Sequence, residues 1–213
     1  MIAIGPGIRE QLGAAAEWRL LSLLLSRPRE GWYREVSSLA EEVGAEALRA
    51  AARSAEGASE GAYHALLGSG SRASPREAAY SGFHDPGRIL ADLAARYGAF
   101  GFTSRQEEAD DHLAVECDFV SYLHLKEAYV LSRGQEEAAA VTREARVRFL
   151  SEHAAVAGRR LVERLPEGSP AYLQAAAAVL AERLPDIPPA PQGAPDEDPL
   201  QDGCPAACGP DPE

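Results

Sequence analysis

With 213 residues the chain has room for one domain with a full core and a ragged end, but not for two full-sized domains. Ala, Leu, Glu and Arg dominate, and strand-favouring residues are thin and never alternate for long, which excludes a sheet protein. The formal charge of -12, without any cluster of Lys and Arg, excludes a surface for nucleic acid or anionic lipid, because both are held by clustered cations.

Residues 1–7 carry neither a basic n-region nor a small-residue cleavage site, so no secretory signal is expected. The leucine-rich run of residues 20–25, interrupted by Ser22, is far too short to span a bilayer. A cytoplasmic protein is expected, and three cysteines, an odd number, give no disulfide framework. A 3.6-residue hydrophobic period predicts helices over residues 8–25, 29–43, 45–54, 59–67, 87–98, 111–132, 135–164 and 169–183. Pro28 suits a first helical turn, Gly44 and Gly68 suit helix ends, and residues 166–170 read as a turn with a cap and an N1 proline. The fold class is therefore all-α, a single-domain helical bundle over residues 1–184.

Two connections, residues 68–86 and 98–110, are long for a compact domain, and such loops tend to be functional or disordered. The first carries Ser74-Pro75-Arg76-Glu77, then Tyr80 and Phe83, aromatics expected to dock on the core. Beyond Leu184 the character changes: residues 185–213 hold 9 of the 15 prolines and seven carboxylates with no Lys or Arg. A disordered acidic tail is expected, because such a segment buries too little surface to offset its chain entropy. Its Cys204 and Cys208 lack the second pair that structural zinc wants.

The segment richest in chemistry begins at Asp111. On a helix, His112, Glu116, Phe119, Leu123 and Glu127 share one side, which puts an imidazole and a carboxylate one turn apart inside an apolar stripe. If the stripe is buried, the two satisfy each other or a neighbouring helix does it, at a cost of roughly 1 to 3 kcal/mol for either left unpaired. Asp111 stands where an N-cap is expected. His112 and Glu116 at i, i+4 are also candidate metal ligands, with His153, His124 or Asp111 offering more, but no His-Glu-x-x-His or paired Glu-x-x-His accompanies them. Phosphate loops, dinucleotide fingerprints and nucleophile elbows are absent from the sequence.

Asp111-His112-Leu113-Ala114-Val115-Glu116-Cys117-Asp118-Phe119-Val120 resembles the D-H-L-x-x-E-L-x-F-M signature of the TorD/DmsD/NarJ family of molybdoenzyme maturation chaperones. In the same order, Tyr63-His64-Ala65-Leu66-Leu67-Gly68 is similar to that family's Y-x-x-L-F-x-G. Residues 74–80 occupy the place of its proline- and aromatic-bearing loop, and Phe149-Leu150-Ser151-Glu152-His153 resembles its F-x-x-x-H. The loop and residues 90–102 look most like the delta-type assembly proteins of periplasmic dehydrogenases and reductases, such as those for ethylbenzene, dimethyl sulfide, selenate or chlorate. Cys117 and Val120 replace the signature's Leu and Met, and the loop lacks the family's P-P-Y-x-S core and tryptophan.

The resemblance implies a chaperone without catalytic turnover or cofactor. It would bind an apo molybdoenzyme catalytic subunit, often through its twin-arginine signal peptide, until the molybdenum cofactor is inserted and export can proceed. Asp111 and His112 match positions implicated in signal-peptide binding, and Tyr80 lies in the region flanking that groove. A carboxylate forms charge-assisted bonds to a guanidinium, while Phe119, Tyr122 and Tyr80 would receive the peptide's apolar stretch and Glu116 would orient the contact. The protein is expected as a monomer or homodimer. The alternatives are a metal-dependent helical enzyme using His112, Glu116 and His153, and a generic helical adaptor.

Overall fold

The computed structural model describes residues 5–68, 70–80 and 85–186. These form α1 (Pro6–Leu25), α2 (Trp32–Glu42), α3 (Glu46–Ser54), α4 (Glu60–Leu67), a 3-10 turn (Glu77–Tyr80), α5 (Pro86–Phe100), α6 (Leu113–Ser132), α7 (Glu136–Phe149), a π turn (Leu150–Ala154), α8 (Ala155–Arg164) and α9 (Ala171–Arg183). Among the described residues there is no strand, only an isolated antiparallel bridge between Arg76 and His112. The fold is all-α, and no described helix is long and apolar enough to cross a membrane. The expected tail, Cys204, Cys208 and Phe83 lie outside the described residues.

α1 and α6 pack against each other at the centre. Gln11 meets His124, Ser121 donates to the Ala15 carbonyl and Arg19 pairs with Asp118, so position rises along one helix as it falls along the other. The two are antiparallel. Leu20, Leu21, Leu24 and Leu25 of α1 are fully buried, each contributing about 1.5 to 3 kcal/mol of transfer free energy. α6 is buried on nearly all sides, from Leu113, Val115 and Phe119 to Val120, Leu123 and Ala128, as a helix enclosed by others must be. Its buried Glu127 is met from α7, where Arg143 and Arg146 both bond the carboxylate. Gly134, in the left-handed region at φ 68, closes α6 and turns the chain into α7.

Two expectations about helix ends and one about a helix's interior need correction. Pro28 does not open a helix: α2 starts at Trp32, after Gly31 at φ 78, because the Trp32 indole N–H donates to the Leu23 carbonyl and draws the connector back onto α1. Ser169 does not cap α9, since its hydroxyl donates to the Pro166 carbonyl and Pro170 takes the cap position before Ala171. The helix expected over residues 135–164 is continuous but interrupted by the π turn, which adds a residue to one turn and so rotates α8 relative to α7.

Candidate functional site

The connector after α4 is clipped to the start of α6. The Glu77 amide donates to the Asp111 carbonyl (2.9 Å) and the Leu113 amide to the Pro75 carbonyl (2.8 Å), which forms the Arg76–His112 bridge. Asp111 completes the clip: its fully buried carboxylate takes the Arg76 guanidinium on one oxygen and the Ala78 amide on the other. The expected role of Asp111 as N-cap is thus corrected, because its lone pairs are used across the chain. His112 is the cap, its Nδ1 accepting from the Ala114 amide at 3.1 Å.

Bond directions fix the rest of the imidazole. The Tyr63 hydroxyl donates to the Leu25 carbonyl, so its oxygen is free to accept from Nε2–H of His112 at 2.9 Å. Nδ1 without a proton and Nε2 with one is the neutral tautomer. Burial, helped by the Arg76 charge, lowers the His112 pKa to about 3, in keeping with that assignment. His112 and Glu116 therefore do not satisfy each other. Neither Glu116 oxygen is met by an N–H or O–H donor. Burial and the neighbouring Glu77 and Asp111 charges raise the Glu116 pKa well above the ordinary value, and the proton so retained is what Glu116 offers to Glu77.

Glu77 connects this mouth to the π turn. The His153 ring lies between two carboxylates, with Nδ1 3.0 Å from Glu77 Oε2 and Nε2 2.9 Å from Asp92 Oδ2 of α5. Glu77 and His153 are buried, whereas the Asp92 side chain is half exposed. Burial works against the Asp92 carboxylate, yet the Arg96 hydrogen bond and the Arg96 and His153 charges outweigh it and lower its pKa. A cavity of about 620 Å³ opens here, lined by Glu77, Asp85, Ile89, Asp92, His153 and Val156 among others. A second, of about 340 Å³, runs along α5 and α7, with Ala99, Phe100, Phe119 and Phe149 in its wall, and shares Asp92 and Ala95 with the first.

Among the residues expected in the site, the structure brings Asp111, His112 and Glu116 together, all buried, at the α6 mouth behind the first cavity. The aromatics do not gather into one surface. Phe119 is in the core between Tyr97 and Phe149 and reaches only the second cavity. Tyr122 packs on Phe102, donates to the Phe100 carbonyl and faces a cavity between α1 and α6. Tyr80 donates to the Ser74 carbonyl and has Arg164 over its ring. His153 serves Glu77 and Asp92 rather than His112 and Glu116, and among the described residues no three His, Cys, Asp or Glu side chains are placed to hold a metal ion. The chain from Glu77 through His153 to Asp92 and Arg96 was not foreseen; the only signal was the π-turn histidine of the F-x-x-x-H.

The family model for the nitrate reductase delta subunit matches residues 33–156, from the start of α2 to the start of α8. The chain belongs to this family. Members of the nitrate reductase delta subunit family are assembly chaperones of molybdoenzymes and not enzymes, which agrees with a site that buries its titratable groups against one another. The whole clip, the α6 mouth and both cavities fall within the matched residues, α8's Val156 included. No curated protein matches the chain.

Proposed function

We propose that this delta-family chaperone holds a cofactor-free molybdoenzyme catalytic subunit, with its twin-arginine signal segment, in the groove between α5 and the continuous α7–α8 helix, in the cytoplasm before export. The observation that carries this is the groove itself: two adjoining cavities with apolar walls and carboxylates at Glu77, Asp85 and Asp92, a chemistry suited to an extended chain with apolar and basic side chains. Asp111, His112 and Glu116 act from behind, fixing the 3-10 turn that presents Glu77, and Tyr80 holds the turn's far end. Phe119 supplies the floor of the second cavity, while Tyr122 keeps the α5–α6 connector in place.

The test is co-purification of tagged full-length chain from its host, with mass spectrometry of the proteins that accompany it. Wild type is expected to bring down a molybdoenzyme catalytic subunit. Ala95→Trp, at an exposed position shared by both cavities, is expected to lose it while helicity and thermal midpoint stay unchanged. Equal recovery of the subunit by Ala95→Trp refutes the groove as the client site, and absence of any molybdoenzyme with the wild-type chain refutes the function.

A further inference from the structure

The two cavities adjoin at Asp92 and Ala95, and Arg96 lines the second. Arg96 of α5 lies across the groove, its Nε 3.0 Å from Asp92 Oδ2 on its own helix and its Nη2 2.6 Å from Glu152 Oε2 on the π turn. Asp92 and Glu152 are close to half exposed, and Arg96 itself retains 27% of its side-chain accessibility. Ion pairs so open to water are weak and exchange readily. Behind them Asp92 is held in place by His153, which is held in turn by the buried Glu77. Asp92 is therefore positioned by the core, while the guanidinium it shares with the exposed Glu152 is not.

We propose that Arg96 is a stand-in for the client: on binding, a guanidinium of the client peptide takes the place of Arg96 between Asp92 and Glu152, Arg96 swings out, and the two cavities merge into one groove. This inference rests on the client-binding reading above and specifies its chemistry. The ligand is an extended segment with one arginine flanked by small or medium apolar side chains. Arginine is selected over lysine because the two carboxylates already span the two edges of a planar fork, which an ammonium cannot bridge. Charge favours the exchange at the first cavity, where three carboxylates, Glu77, Asp85 and Asp92, share the lining with Arg88 and His153. At the second, Arg148 also lines the wall, but it is paired with Glu144. The apolar flanks are met by Ile89, Val156 and Phe100.

The experiment is calorimetric titration of the full-length protein with acetyl-Ser-Leu-Ala-Arg-Leu-Ala-Ser-amide and with the same peptide carrying glutamine or lysine for arginine. The arginine peptide is expected to bind wild type and to bind Arg96→Gln about tenfold more tightly, since the internal competitor is gone. It is expected to bind Glu152→Gln about tenfold more weakly, a loss of one charge-assisted bond. The glutamine peptide is expected to bind weakly and to ignore Arg96→Gln, and the lysine peptide to fall between. Arg96→Gln binding no better than wild type, equal affinity for all three peptides, or no binding of the arginine peptide overturns the exchange. If Ala95→Trp nonetheless abolishes client recovery, the groove and the chaperone reading survive that failure; if it does not, they fall separately.

Discussion

His112 and Glu116 stand one turn apart with opposite consequences of burial. His112 titrates near 6.5 in an unfolded chain and at about 3 here, so protons bind the unfolded state first: its contribution is complete above pH 6.5 and is lost as pH falls toward 3. Within that window it costs roughly 1.4 kcal/mol per pH unit, and buried His124, also lowered to about 3, adds to the slope. Urea unfolding between pH 7 and pH 4 is expected to show a steep fall in stability, shallower in His112→Gln; a slope unchanged by that substitution would contradict the assignment. Glu116 works the other way. Its folded pKa is raised, so its contribution is present below the unfolded value and is lost as pH rises through the folded one. Glu116→Gln keeps a donor toward Glu77 without a proton to lose, and its thermal midpoint is expected to exceed wild type at pH 8, the gap closing near pH 5. Asp111→Ala takes away the carboxylate that the Ala78 amide bonds and with it the buried end of the clip, at about 1 to 3 kcal/mol by chemical denaturation.

At the scale of elements, Gly68 shows what local chemistry can and cannot announce. It ends α4 as the sequence expects, but not through a left-handed turn: its φ is -66, and a Cβ would lie 2.3 Å from the His64 carbonyl oxygen. Gly68→Ala is expected to lower stability by about 1 to 3 kcal/mol, in the range of strain and overpacking, measured by thermal unfolding. Helices were legible wherever the hydrophobic period and the punctuation agreed, as at residues 59–67 and 111–132, because both signals act over a few residues. Pro28 and Asp111 carried standard local signals that tertiary bonds overrode, the first through the Trp32 indole and the second through Arg76. The stripe His112, Glu116, Phe119 was legible as a stripe. Its partners were not, since Tyr63 of α4 and Glu77 of the 3-10 turn lie tens of residues away and no periodicity links them. The π turn was invisible for the same reason: residues 150–154 keep ordinary helical composition, and only the pull of Glu77 and Asp92 on His153 rationalises the extra residue.

For the whole molecule, the clip and the Arg96 bar hold the α5 arm at separate places, its lead-in on α6 and its middle on the π turn. Besides the Asp92–His153 bond and the Tyr122 and Lys126 bonds to the Phe100 carbonyl, α5 is anchored by the buried Leu93 and Tyr97, the latter set among Phe102, Phe119 and Phe149. Amides of α5 are expected to exchange hydrogen faster than those of α1 and α6, and faster still in Arg96→Gln; equal protection across the three helices would rule out separate opening of the groove wall. The antiparallel pairing of α1 with α6 has a different reach, because Gln11 and His124 are 113 residues apart. During synthesis the leucines of residues 20–25 have no α6 to cover them until more than half of the chain has been made, so the apolar surface that becomes the core is exposed for most of that time. A fragment of residues 1–110 is expected to remain unfolded by circular dichroism. A chaperone of this topology is itself in need of shelter while it is being made.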